Sequence, residues 1–164
     1  MLATLALISS GLAEDLRQVV DSQNKKIEHA FFKMNMAAFE KALRPNVTAD
    51  FKYAQNGQPV GFDEMVSTVK QGFVAFAKMK SSSSKTMKLA SHGDTGEAVT
   101  ERKFVAILKG AEKKPHVMAF DGFTDDTFRK EDGKWKLASM TWTKSDMTLD
   151  GKPYNPSKAA SDGQ

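Results

Sequence analysis

The apolar residues of this chain change their spacing once, and that change restricts the folds open to it. Up to Met79 the long apolar stretches recur at helical intervals, interrupted by one hairpin; beyond the serine run 81–84 they alternate with a period of two. Leu16, Val20, Ile27, Phe31 and Met34 stand at steps of three, four or seven, and Val19 and Ala30 widen their stripe. Asn35 marks a corner before a short second helix, 36–43, which Arg44-Pro45-Asn46 stops because the residue before proline avoids helical geometry. Residues 47–62 read as a hairpin around Asn56-Gly57, with Pro59 confining the returning arm to an edge. A third helix follows over 62–79, with Asp63 and Glu64 favourably placed at its N-terminal end. Serines 81–84 read as a flexible joint. Strands are expected at about 85–92, 97–109, 115–130 and 134–146, separated by turns at 92–96, 109–112 and 131–133. Helices first and an antiparallel meander second predict an α+β domain with helices on one face of a curved sheet, which encloses a cone.

A chain of 164 residues without a repeat or a long linker is expected to form one such domain. Its formal charge is +4, but lysines supply most of the cations and are scattered, with Lys25-Lys26 and Lys113-Lys114 the densest pairs. That distribution gives no basic stripe, so nucleic acid is not expected as a partner. The absence of cysteine removes disulfides, thiolate metal sites and cysteine nucleophiles. Residues 1–13, MLATLALISSGLA, are uncharged and apolar, with Gly11 and Ala13 where a cleavage site wants small side chains. They read as a signal peptide cut near Ala13, which implies a periplasmic or secreted protein, or else as the first turns of the helix. A run this short does not span a membrane. Residues 14–147 then form the domain, and 148–164 an extension expected to be disordered from about 155.

Two stretches, KMNMAAFEKALRPNVTADFKYAQNGQPVGFDEM (33–65) and DTFRKEDGKWKLASMTWTKSD (126–146), resemble the nuclear transport factor 2-like superfamily. The first is similar to its helix–corner–short helix–strand opening, with Asp50 at the start of the strand. The second is similar to its closing hairpin, and the nearest flavour is the polyketide-cyclase-like (SnoaL-like) branch. The resemblance implies a cystatin-like cone; it implies little about function, because this fold hosts isomerases, dehydratases, cyclases and oligomerisation domains.

Ketosteroid isomerase, an enzyme of this fold, sets a sharp test: it needs a carboxylate base, a tyrosine and a protonated aspartic acid. The tyrosine position falls at about Ile27 and the base position near Phe51-Lys52, neither of which has the required group. Only Asp126 matches. The chain therefore lacks that enzyme's set. The histidines offer little more: His29 flanks the helical stripe, His92 sits in a turn, and His116 opens a strand about ten residues from Asp126, too far for contact. No histidine pair has metal-ligand spacing, and Asp121, Asp125 and Asp126 lack the pattern of a calcium loop, so no metal or cofactor is expected. The DGFTDD stretch reads as a strand crossing a bulge at Gly122.

What remains is the cone interior. Strand parity puts Ala138, Met140 and Trp142 on one face, and Trp135, Leu137, Ser139 and Thr141 on the other, unless a bulge intervenes. By the resemblance, the first set faces inward, joined by Phe51, Tyr53, Phe104, Met118, Phe120 and Asp126. These side chains either fill the cone as core or line a ligand cavity. The candidate ligand-binding set is Tyr53, Phe104, Met118, Phe120, Asp126, Met140 and Trp142. The expected function is noncatalytic binding of a small apolar ligand, or protein interaction, by an exported homodimer paired through the outer sheet face. The alternatives are a small isomerase, cyclase or dehydratase using Asp126 as general acid or base with Tyr53 as donor, and a purely structural oligomerisation domain.

Overall fold

The computed structural model describes residues 2–55, 57–110 and 115–155, with side chains from residue 15 onward. The expected leader side chains, Asn56 of the hairpin turn, residues 111–114 of the third turn and the tail beyond 155 lie outside the described residues. Helix α1 (Leu2–Phe32) buries Leu16, Val20, Ile27 and Ala30, the stripe that the spacing marked. The chain turns at Asn35, whose side chain accepts a hydrogen bond from the Ala38 amide at 3.0 Å and so caps α2 (Met36–Leu43). A 3-10 turn, Arg44–Asn46, leads into β1 (Val47–Ala54). The returning arm of the hairpin is reduced to a single bridge between Tyr53 and Val60, with both backbone bonds at 2.7–2.8 Å.

Helix α3 (Phe62–Ala75) ends four residues before its expected limit, and β2 (Phe76–His92) begins at once. The serine run is therefore no joint. Ser81 to Ser84 pair in register with Val105 to Arg102 of β3 (Thr95–Leu108). Period-two reading misses this segment because serine carries no apolar signal. Its free edge faces α1, where the Ser84 amide donates to Glu28 Oε2 at 3.1 Å and the Thr86 hydroxyl to Asp21 Oδ1 at 2.9 Å. An exposed strand edge is thus partly covered by helix side chains.

Strands β4 (Val117–Glu131) and β5 (Lys134–Leu149) complete the antiparallel meander, and β1 joins β5 in parallel, giving the order β1-β5-β4-β3-β2. A short β6 (Lys152–Pro153) pairs with the end of β5. The helices pack on one face of this curved sheet. The fold is the expected α+β cone.

The register of β5 corrects the parity argument. Thr127 lies opposite Ser139 but Phe128 opposite Leu137, so Ala138 is an extra residue in β5; Thr143 is another, between Trp142 and Lys144. The first bulge reverses the alternation between the two tryptophans. Trp135, Leu137 and Met140 are all buried in one cluster and Trp142 packs against it, while Ala138 does not join them. Both indoles face the cone. The bulges lie in β5 and not at Gly122, where β4 pairs regularly with β3. Gly122 has another role: a Cβ there would stand 2.8 Å from Cζ3 of Trp142 and 2.5 Å from the Lys144 carbonyl oxygen. The missing side chain lets the Trp142 ring lie against the sheet.

Candidate functional site

The inward row of β3 is graded by size: Gly96, Ala98, Thr100, Arg102, Phe104. At its small end α1 comes close, since a Cβ on Gly96 would overlap Leu16, and the interior is filled by Leu16, Val20, Phe51, Phe128, Trp135 and Leu137. At its large end the helices stand off and leave a cavity of about 380 Å³. Phe104 and Phe120, cross-strand partners, stack with centroids 5.0 Å apart and planes 9° from parallel. Trp142 stands edge-on to Phe120 at 5.0 Å, and Phe31 stands edge-on to Phe73 at 5.0 Å. These contacts fix the aromatic wall in favourable geometry.

Five of the seven candidate residues, Tyr53, Phe104, Met118, Phe120 and Trp142, line this cavity. Asp126 and Met140 do not. They border a separate space of about 10 Å³, which Arg102 also borders while forming part of the large cavity's wall. Phe51 is packed in core beneath Phe62. The cone is thus core at one end and cavity at the other.

A polar layer divides the two. The Asp126 side chain is 3 % exposed; its Oδ2 accepts from Thr100 Oγ1 at 3.0 Å and from Arg102 Nη2 at 3.1 Å. Asp126 Oδ1 has no hydrogen-bond partner among the described residues. Burial pushes the Asp126 carboxyl above the usual carboxylate range, and Arg102, Thr100 and Thr124 pull it part of the way back. Arg102, 11 % exposed, also donates from Nε to Thr124 Oγ1 at 3.2 Å and from Nη1 to Asn24 Oδ1 at 3.2 Å and Ser84 Oγ at 3.5 Å.

Tyr53 sits at the cavity with its hydroxyl already engaged. It donates to Gln55 Oε1 at 2.7 Å and accepts from Trp142 Nε1 at 3.0 Å. Burial raises its phenol, with the Trp142 bond and the charge of Arg102 opposing the shift. His116 does not line the cavity; its Nδ1 lies 2.7 Å from Asp150 Oδ2, in the turn after β5. His29 and His92 are exposed. Asp50, in the middle of β1, is held at about 2 by Arg129, whose Nη2 donates to it at 2.8 Å on the exposed side of the sheet. Among the described residues no helix is long and apolar enough to cross a membrane.

Arg102, Phe31, Phe73, Phe76 and Met147 are cavity residues that sequence reasoning passed over. Arg102 carried a usable signal, because it lies two positions before Phe104 and so shares its inward face. The helical phenylalanines read only as core.

No protein-family model matches this chain. No curated protein matches it either. Solved structures do. A conserved protein from Planctomyces limnophilus superposes with a TM-score of 0.62 at 16 % identity, over 76 % of this chain and 92 % of that one. A protein from Kribbella flavida gives 0.63 at 13 % identity, over 80 % and 93 %. The hexachlorocyclohexane dehydrochlorinase LinA-type3 from Novosphingobium barchaimii gives 0.56 at 10 % identity, over 85 % and 94 %. Similarity at these identities establishes architecture and leaves activity to the site itself. With three helices on a curved, mainly antiparallel sheet, this chain has the nuclear transport factor 2-like fold.

Proposed function

We propose that the protein binds a small, largely apolar ligand in the cavity between α1, α3 and the far end of the sheet, without transforming it. The observation that carries this reading is the cavity of about 380 Å³ walled by stacked and edge-on aromatic rings. That volume lies within the range of small-molecule sites, and apolar walls with a few fixed polar groups are their usual construction. Catalysis through Asp126 is less well supported. Its carboxylate is engaged by Thr100 and Arg102 and lies off the wall of the large cavity. The enzyme alternative draws its support from a structural neighbour named as a dehydrochlorinase.

The test is a fluorescence titration with N-phenyl-1-naphthylamine, an apolar probe that brightens when it leaves water. The wild type should bind it saturably. Trp142→Ala should abolish binding, whereas Lys134→Ala, altered in the turn region beside Trp135, should keep wild-type affinity. Equal affinities in the two variants would remove the assignment of the cavity as the site.

A further inference from the structure

Resting on the reading of the cavity as a ligand site, we infer that Arg102 selects ligands carrying a neutral hydrogen-bond-accepting oxygen, a carbonyl above all, on an aromatic body. A guanidinium has five N–H bonds in a rigid plane. Among the described residues its partners Thr124, Asn24, Ser84 and Asp126 take four of them, one each from Nε and Nη2 and two from Nη1. Among the described residues no acceptor meets the second Nη2 hydrogen, which belongs to a group that forms part of the cavity wall. The four bonds hold the plane in place before any ligand arrives, so a ligand oxygen meets a donor that needs no ordering.

Charge decides which oxygen fits. Arg102 is already neutralised by Asp126 at 3.1 Å, with both side chains largely withdrawn from water. A ligand carboxylate would add a second negative charge beside Asp126 in a poorly solvated place, and like charges there are costly. A ketone, aldehyde or ester carbonyl accepts the remaining hydrogen without changing the charge balance. The other cation on the wall, Lys103, is turned to Glu101 at 2.9 Å and Asp121 at 3.4 Å, so it does not supply a counter-charge for an anion. The stacked Phe104–Phe120 pair and Trp142 supply flat surface for the rest of the ligand.

The experiment compares three probes of one shape by isothermal titration: 2-acetylnaphthalene, 2-isopropylnaphthalene and 2-naphthoate. The wild type should bind the ketone about tenfold more tightly than the hydrocarbon, the scale of a hydrogen bond to a charged donor, and the naphthoate most weakly. The double variant Arg102→Met/Asp126→Asn, which removes the charges together, should bind ketone and hydrocarbon alike. The infrared carbonyl stretch of the ketone bound to wild type gives a second readout that needs no variant, and it should shift to lower frequency than in hexane. Ketone and hydrocarbon binding equally to wild type would overturn this inference and leave the cavity reading standing. Tightest binding of the naphthoate would overturn the choice of a neutral acceptor, as would an unshifted carbonyl stretch. No saturable binding by any of the three would overturn the cavity reading and this inference together.

Discussion

Trp135 and Trp142 lie on the same face of the same strand, yet one is core and the other is cavity wall. What differs is the opposite side of the cone. Facing Trp135, α1 presents Leu16 against Gly96, and the helix approaches until the indole is 5 % exposed. Facing Trp142, the large side chains Phe31, Phe73 and Phe104 hold the helices away from the sheet, and space remains among them. Small residues let the layers close and large ones prop them apart. The buried Arg102–Asp126 layer, with Thr100, Thr124 and Asn24, stands at the boundary.

The comparison can be broken first by truncation. Trp135→Ala should destabilise the fold by about 3–5 kcal/mol, the range for removing a buried aromatic side chain. Trp142→Ala, removing a partly buried ring beside existing space, should cost clearly less. Urea unfolding followed by circular dichroism measures both, and equal losses would mean that the two ends are packed alike. A subtler disturbance is Gly122→Ala. Its methyl group would press on Trp142 and on the Lys144 carbonyl oxygen, so stability should fall by about 1–3 kcal/mol and the Trp142 emission spectrum should shift. Unchanged emission would mean that Gly122 does not seat the indole.

The smallest effect concerns Tyr53 and pH. Burial keeps its phenol protonated beyond the usual 10, so the folded protein retains a proton that the unfolded chain gives up. The linked stability is complete below pH 10 and declines as pH rises toward the folded value. Between pH 10 and 11, Tyr53→Phe should therefore lose stability less steeply than wild type. Parallel declines would show that the phenol titrates as in the unfolded chain.

The helices and the meander were legible because their apolar residues keep one period over many residues, and Asn35 announced the corner through its capping chemistry. The start of β2 was not, because Phe76 continues the apolar stripe of α3 and the serines after it carry no apolar alternation. Parity along β5 failed for a different reason. Ala138 is an ordinary strand residue whose extra place in the register exists only relative to β4. Five cavity residues were found by strand phase and by the family resemblance. Arg102 was overlooked although it is in phase with Phe104, because its burial depends on partners from α1, β2 and β4 that no local pattern brings together.

The most direct measurement uses single-tryptophan proteins, since the chain has only these two. Trp135→Phe leaves Trp142 as the sole indole, and Trp142→Phe leaves Trp135. During titration with N-phenyl-1-naphthylamine, excitation energy passes from indole to bound probe over short distances and weakens steeply with separation. The protein retaining Trp142 should show strong, saturable quenching of its indole emission, and the protein retaining Trp135 a distinctly weaker quenching over the same titration. Stronger quenching of Trp135 than of Trp142 would place the probe at the packed end of the cone and contradict the division between core and cavity.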